Sequence, residues 1–198
     1  MMDTIPTAWR GHRNFANWLV TVTRPKLIVD LGVDYGFSTL AFAEPGIGTV
    51  IGIDTFEGDE HCGSRDTLQA AIDNRDRLGR NNVILLRGWF HEINKHWVEP
   101  IDILHIDGRH KYEDVKTDYD MWCSFMRGSG VVLFHDTNVN SNSYSFGVKE
   151  FFDNLPGPKF NFLNSYGLGV SSQDSSLIAW IADTWDVNGN FGDVRQNG

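Results

Sequence analysis

Cysteine is scarce in this chain of 198 residues, which contains only Cys62 and Cys123. The two are far apart and match no metal-binding or redox spacing, so we expect reduced thiols in a cytoplasmic protein. Basic residues are also too few for a nucleic-acid binder, since a net charge of −9 argues against a protein that holds a phosphate backbone. The sequence has no apolar signal core and no run of membrane-spanning length, so it predicts no membrane association.

What the chain does have is the composition of an ordinary globular protein, with a hydrophobic fraction of 41%. This length is enough to bury a substantial core, so we expect residues 1–198 to form one domain. Within it we expect an N-terminal helical cap at 1–25, a core sheet at 26–171, and a C-terminal extension at 172–198 whose tail is flexible.

Apolar runs of strand length alternate with helical stripes along most of the chain. The predicted strands are Lys26–Leu31, Thr49–Ile53, Val83–Leu86, Ile101–Ile106, Gly130–Phe134, Lys159–Leu163 and Gly167–Ser171. The predicted helices are Arg13–Val22, Gly36–Ala43, Leu68–Leu78, Trp89–Trp97, Tyr112–Trp122 and Val148–Leu155, while Ser175–Trp185 is compatible with a helix or a strand. The alternation predicts a doubly wound parallel α/β sheet whose last two strands pair as a hairpin at one edge.

Ligands of such sheets bind at the carboxyl ends of the strands, so the residues after each strand are the candidates for a site. In chain order, these candidates are Asp30, Gly32 and Gly36; Asp54; Gly88 and Trp89; Asp107, Gly108, Arg109 and His110; and His135 with Asp136. Four of the five strand ends present an acid, which predicts a rim rich in carboxylates.

The glycines after the first strand, Gly32 and Gly36, have the spacing Gly-x-x-x-Gly rather than Gly-x-Gly-x-x-Gly. The dinucleotide pattern serves to seat a pyrophosphate, so its absence favours a ligand without one. Acids at Asp30 and Asp34 would repel phosphate and suit a cationic ligand. Asp54, on the next strand, is placed to accept hydrogen bonds from ribose hydroxyls. The alternative is that the glycines only shape a tight turn and that Asp54 caps a turn.

Five strings in this order carry a resemblance to a known family: Val29–Thr39, Gly52–His61, Leu104–Glu113, Phe134–Thr137 and Gly167–Val170. Together they resemble class I S-adenosylmethionine-dependent methyltransferases. They are most similar to the small methyltransferase 24-like family found beside glycan and natural-product biosynthesis enzymes and related to metal-dependent O-methyltransferases. The resemblance implies a Rossmann-like sheet of seven strands, mostly parallel with an antiparallel last strand, and helices on both faces.

The resemblance also implies a set of residues that bind S-adenosylmethionine. In chain order they are Asp30, Gly32, Tyr35, Gly36, Ser38, Asp54, Thr55, Gly88, Trp89 and Asp107. Asp30, Gly32 and Gly36 would surround the methionine portion, with Ser38 at the start of the following helix. Asp54 would hold the ribose hydroxyls, Gly88 and Trp89 would flank the adenine, and Asp107 would lie close to the transferred methyl group.

The catalytic residues that we predict are His110 and Asp107. Transfer to a hydroxyl needs a base, and His110 lies three residues beyond Asp107 on the same rim. The alternative is a solvated loop histidine. Metal-dependent relatives, including the catechol methyltransferases, imply a site for Mg²⁺ or Mn²⁺ at Asp107, His135 and Asp136. A histidine at 135 departs from the oxygen ligands that Mg²⁺ prefers, which leaves Mn²⁺, Zn²⁺ or no metal open. The alternative is that His135 and Asp136 form hydrogen bonds across the top of the sheet.

Other histidines and aromatic residues receive structural or acceptor roles. His12, His91 and His96 are predicted to lie at the surface, whereas His61 and His105 are predicted to be structural. Two aromatic residues of the loop after the fifth strand are placed to meet an acceptor or to anchor that loop: Tyr144 and Phe146.

The function that these observations favour is O-methylation of a small-molecule or glycan hydroxyl. Two alternatives remain: a nicotinamide-dependent oxidoreductase on a related sheet, and a non-catalytic scaffold that retains the cofactor fold. The sequence does not indicate an oligomeric state.

Overall fold

The computed structural model describes residues 2–60, 62–139 and 146–192. The strands are β1 (Leu27–Leu31), β2 (Thr49–Asp54), β3 (Gly58–Asp59), β4 (Gly63–Ser64), β5 (Val83–Arg87), β6 (Ile101–Ile106), β7 (Met126–His135), β8 (Lys159–Phe162) and β9 (Leu168–Ser172). The helices are α1 (Arg13–Thr23), α2 (Phe37–Ala43), α3 (Leu68–Arg77), α4 (Phe90–Asn94), α5 (Tyr112–Trp122), α6 (Val148–Asn154) and α7 (Ser175–Thr184). Within these ranges, no helix is both long and apolar enough to cross a bilayer.

Seven strands form one sheet in the order β5-β2-β1-β6-β7-β9-β8. Every pairing is parallel except those of β9, which runs antiparallel to both β7 and β8. The prediction of a mostly parallel seven-stranded sheet with a reversed last strand is therefore confirmed, and so is the edge hairpin. From β1 the chain builds outward to β2 and β5 and then returns to β6 on the other side. This reversal makes the β1–β6 junction the place where a ligand cleft is expected.

The register aligns the carboxyl ends of the central strands. Leu31 at the end of β1 pairs with Ile53 of β2 and Ile106 of β6, and Ile106 pairs in turn with Phe134 of β7. The residues that follow this row therefore leave the sheet side by side: Gly32, Asp54, Asp107 and His135. Four residues that are far apart in the sequence are brought to one rim by strand pairing alone.

Side chains of the sheet alternate between two buried clusters, one on each face. Ile28 of β1 belongs to the cluster under α1, α2 and α7, whereas Val29 and Leu31 belong to the cluster under α5 and α6. Because strand side chains alternate with a period of two, Asp30 points to the same face as Ile28. Its carboxylate is therefore directed beneath α2.

Helix α2 is buried along its whole length. It begins after Gly36, which adopts a φ of 92°, and no side chain caps its amides. Ser38, near the start of this helix, does not cap these amides, because its hydroxyl donates instead to Asp30. The buried carboxylate is a stronger acceptor for this hydroxyl than solvent or a helix terminus can offer.

The structure resolves two other open points. The segment Ser175–Thr184 is a helix, and Asp174 caps it by accepting from the backbone amides of Ser176 and Leu177. The segment between β2 and α3 contains the short hairpin of β3 and β4. The end of the tail predicted to be flexible, residues 193–198, lies outside the described residues.

Candidate active site

A cavity of about 990 Å³ opens at the carboxyl ends of the parallel strands. The predicted site residues that line it are Gly32, Tyr35, Ser38, Asp54, Thr55, Gly88, Trp89, Asp107, His110, His135 and Asp136. Asp30 and Gly36 do not line it. The volume lies at the upper end of the range for small-molecule sites, which leaves room for two ligands side by side.

Gly32 allows the ends of β1 and β6 to come together. Its φ is 100°, and a Cβ atom at this position would overlap the backbone carbonyl oxygen of Asp107. The Asp107 amide also donates to the carbonyl of Leu31 at 2.8 Å. A side chain at position 32 would therefore push Asp107 away from the rim.

For this reason Gly32→Ala is expected to lower the free energy of unfolding by about 2–4 kcal/mol, combining backbone strain with overpacking. Urea denaturation measures this change. Gly79→Ala is the matched control, because Gly79 has a φ of 63° but no atom near its missing Cβ. The control should cost about 1 kcal/mol. Equal losses in the two variants would contradict the close approach described for Gly32.

Asp54 organises the loop that follows β1. Its Oδ2 atom accepts from the amides of Val33 and Asp34, both at 2.8 Å. Its Oδ1 atom accepts from the amide of Phe56 at 2.8 Å. These bonds shape the floor of the cavity, and the predicted contact of Asp54 with ribose remains a prediction.

Asp30 lies in a buried network beneath the cavity and has no exposed surface. The indole N–H of Trp9 donates to Nε2 of His105 at 3.1 Å, so the ring proton of His105 resides on Nδ1. Nδ1 then donates to Oδ1 of Asp30 at 2.6 Å. The other carboxylate oxygen accepts from the hydroxyls of Ser38 and Thr39, at 2.8 and 2.5 Å.

Asp30 therefore does not line the cavity, and its carboxylate is engaged by Ser38, Thr39 and His105 instead of the predicted cofactor. The sequence pattern located Asp30 near a strand end, but strand alternation turns its side chain under α2. Trp9, which fits no stripe in the sequence, is part of the same network and is almost fully buried. His105 is structural, as predicted.

His135 lies between two carboxylates at the end of β7. Its Nδ1 atom is 3.3 Å from Oδ1 of Asp107 and 3.4 Å from Oδ1 of Asp136. Its Nε2 atom donates to the carbonyl of Ser165 at 3.0 Å. Burial opposes its charge, but the neighbouring carboxylates raise the pKa of His135 well above its ordinary value. His135, Asp107 and Asp136 form an ion-paired cluster. Burial raises the pKa of Asp107, but the charge and the hydrogen bond of His135 lower it, so the net change is downward.

His110 completes this group from the loop after β6. Its Nε2 atom is 2.9 Å from Oδ2 of Asp136 and 4.0 Å from Oδ1 of Asp107. Its ring stacks on Phe146, with centroids 4.4 Å apart and an interplanar angle of 16°. Burial lowers the pKa of His110. The hydrogen bond to Asp136 and the charges of Asp107 and Asp136 raise it by more, so the net change is upward. The alternative of a solvated loop histidine is therefore wrong.

Three of these side chains could hold a cation. One ligand atom each from Asp107, His110 and Asp136 lies within 4.8 Å of the others. The prediction named His135 in place of His110. In the structure His135 lies beside this group, with one nitrogen engaged by a backbone carbonyl.

The remaining histidine and aromatic predictions have mixed outcomes. His12 is buried, not exposed, because it packs against the ring of His135 and the carbonyl of Ser165. Burial is the main cause that lowers the pKa of His12 to about 3, so it is neutral. His91 and His96 are exposed, as predicted. Phe146 lines the cavity, whereas the predictions for Tyr144 and His61 lie outside the described residues.

The sequence did not predict the ion pair between Asp34 and Arg65 in the cavity lining. Asp34 adopts a φ of 50° and forms an ion pair at 3.0 Å with Arg65, which follows β4. The Arg65 guanidinium also lies over the ring of Tyr35. Burial is the main cause that raises the pKa of Asp34 to about 6. Arg65 thereby connects the β3–β4 hairpin to the loop after β1.

Comparison with known proteins places these features in a family. Residues 29–137, more than half of the chain, match the family model described as a methyltransferase domain. An uncharacterized protein, y4gI of Sinorhizobium fredii (strain NBRC 101917 / NGR234), is 34% identical over 173 residues, which cover 83% of this chain. The chain spans about a fifth (19%) of that relative's length.

Solved structures share the fold at low sequence identity. A putative O-methyltransferase from Klebsiella pneumoniae has a TM-score of 0.62 and 18% identity, covering 84% of this chain and 80% of that one. The O-methyltransferase from Bacillus cereus in complex with SAH has a TM-score of 0.62 and 18% identity, covering 86% and 85%. Cofactor-bound Rv0187 from MTB has a TM-score of 0.66 and 15% identity, covering 85% and 81%. The architecture is thus that of class I methyltransferases.

Proposed function

The chain belongs to the methyltransferase-domain family, and from that premise we propose that it transfers a methyl group from S-adenosylmethionine to a hydroxyl of a small-molecule or glycan acceptor. The observation that carries this proposal is the convergence of Gly32, Asp107, His110 and Asp136 on one cavity. An acid-base cluster beside a glycine loop of the nucleoside-binding type is what transfer from a sulfonium nucleoside to a hydroxyl requires.

The charge of the cavity supports a cationic cofactor. Carboxylates outnumber guanidinium groups in its lining, which contains two arginines, Arg65 and Arg109, and seven acids: Asp34, Asp54, Asp59, Asp107, Asp114, Asp118 and Asp136. The sulfonium of S-adenosylmethionine carries a positive charge, which nearby carboxylates attract. A nicotinamide dinucleotide would instead bring two phosphates to this rim. The alternative of a nicotinamide-dependent oxidoreductase is disfavoured on this ground.

His110 is the proposed general base. In the reaction the acceptor oxygen would attack the methyl carbon, the carbon–sulfur bond would break, and S-adenosylhomocysteine would leave as the neutral thioether. The hydroxyl proton would pass to the second ring nitrogen of His110, while Nε2–H donates to Asp136 and that carboxylate stabilises the positive charge of the imidazolium. The stack on Phe146 restricts the ring to one plane.

The cluster also fits a divalent cation in its donor chemistry. Two carboxylates and one imidazole suit Mn²⁺ or Zn²⁺ better than Mg²⁺, which prefers oxygen ligands. When bound, such a cation would lower the pKa of the acceptor hydroxyl. A neutral imidazole has one lone pair, so His110 cannot both bind a cation and accept the proton. Assays after dialysis against a chelator, with and without added Mn²⁺ or Zn²⁺, distinguish the two roles.

Further expectations concern organisation and partners. We propose that residues 1–198 fold as one domain, which is supported by a single cluster that contains both Ile5 and Trp185. We also propose a cytoplasmic protein that acts on a small-molecule or glycan acceptor.

Isothermal titration calorimetry tests the proposed cofactor. We expect saturable binding of S-adenosylmethionine and S-adenosylhomocysteine with a dissociation constant on the order of micromolar, or about −8 kcal/mol, and no binding of NADH. Absence of binding by both sulfur nucleosides at millimolar concentration would overturn the proposal. Binding of NADH instead would support the oxidoreductase.

A further inference from the structure

Asp118 is a buried acid that the proposed mechanism does not use. It lies on α5 and is 9% exposed, and its side chain lines the cavity. None of the hydrogen bonds and ion pairs formed among the described residues involves its carboxylate. Burying a carboxyl group without a partner is costly, so a nine-tenths buried acid that faces an open cavity indicates a ligand that donates to it.

Two neighbours of Asp118, Gly108 and Phe90, define a slot within the cavity. A Cβ atom on Gly108 would come within 2.7 Å of Cε2 of Phe90 and 3.2 Å of Oδ2 of Asp118. The Gly108 backbone therefore lies against both the Phe90 ring and the carboxyl group. Met121 lines the same cavity. Apolar surfaces with one carboxyl at the edge match a flat heteroaromatic base that carries an amino group.

The position along the rim agrees with that occupant. Phe90 follows Gly88 and Trp89, the pair that the family resemblance places beside the adenine. The guanidinium of Arg109 lies over the Trp89 ring, 5.5 Å from its centroid, and forms no ion pair with Asp118. The Asp118 carboxyl group is therefore available to a ligand in the cavity.

Burial and the nearby charge of Asp114 raise the pKa of Asp118 to about 7, while the charge of Arg109 lowers it in part. This cost is relieved when a donor from a ligand reaches the carboxyl group.

We propose that Asp118 accepts a hydrogen bond from the exocyclic amino group of the cofactor's adenine and thereby selects a 6-aminopurine over a 6-oxopurine. This inference rests on the proposed function. It assigns recognition of the adenine to a residue of α5, whereas the family resemblance implies contacts of the adenine only with Gly88 and Trp89.

Calorimetry with two ligands tests the inference. S-adenosylhomocysteine and its 6-oxo analogue, S-inosylhomocysteine, differ at the atom that Asp118 would contact. We expect the native protein to bind the 6-amino ligand about 10–100-fold more tightly. In Asp118→Asn, the amide can donate to the 6-oxo group, so we expect this preference to fall to about threefold or less. Asp120→Asn, on the exposed side of the same helix, should keep the native preference.

The outcomes separate the inference from the function on which it rests. Equal affinity of the native protein for the two ligands would overturn the role of Asp118 and leave the methyltransferase proposal standing. An unchanged preference in a folded Asp118→Asn would do the same. Failure of both ligands to bind the native protein would reject the proposed function and this inference together. Because the native comparison needs no variant, poor folding of Asp118→Asn would not prevent the test.

Discussion

His110→Ala is expected to lower kcat for methyl transfer by about 10²–10⁴-fold, the contribution of a well-placed general base. The affinity for S-adenosylhomocysteine should stay within about threefold of the native value, because His110 contacts Asp136 and Phe146 and its proposed role is toward the acceptor hydroxyl. Steady-state kinetics and calorimetry measure the two quantities. His96→Ala, at an exposed histidine outside the cavity lining, is the matched control and should change neither.

The pH profile gives this prediction a second readout. A base must be neutral to accept a proton, and the pKa of His110 is raised above its ordinary value of 6.5. The ratio kcat/KM should therefore be low at acidic pH and should rise as pH passes through that raised pKa. The variant should lose this rise. Equal losses of transfer and of cofactor affinity in His110→Ala would instead assign His110 to binding.

Asp30→Ala is expected to lower the free energy of unfolding by about 3–5 kcal/mol, which is the usual effect of removing one partner from a buried polar pair. The substitution would leave the Nδ1–H of His105 and the hydroxyls of Ser38 and Thr39 without their acceptor in a region with no solvent. That loss is a large part of the stability of an ordinary domain. Urea denaturation followed by circular dichroism measures it.

The control for this prediction is Asp3→Ala, because Asp3 is exposed and its ion pairs with Arg10 and Arg13 are 3.6 and 3.8 Å long, so its loss should change stability by less than about 1 kcal/mol. A variant at Asp30 with native stability and lost cofactor affinity would contradict the buried network. It would return Asp30 to the cofactor site that the family resemblance implied.

The rim of the site was predictable because it depends on strand order alone. Asp54 and His135 end their strands and Asp107 directly follows one, and parallel pairing brings such residues to one edge whatever the loops do. The antiparallel β9 and the edge hairpin also followed from apolar runs and their spacing, together with the family pattern.

What the sequence did not reveal depends on side-chain direction and on packing between distant segments. Asp30 precedes the end of β1 by one residue, and the alternation of the strand turns it away from the rim. Trp9 and His12 lie before the first regular helix, with no periodic pattern to indicate burial, yet contacts with His105 and Ser165 bury both. Asp118 lies on a helix whose sequence shows an apolar stripe, and only the structure shows that it lines the cavity.

A crystal structure with S-adenosylhomocysteine bound tests the proposed cofactor site most directly. We expect a single nucleoside in the cavity, with its sulfur beside Asp107 and His110 and its adenine amino group at Asp118. A nucleoside bound elsewhere, or in the cavity with its sulfur remote from Asp107, would contradict it.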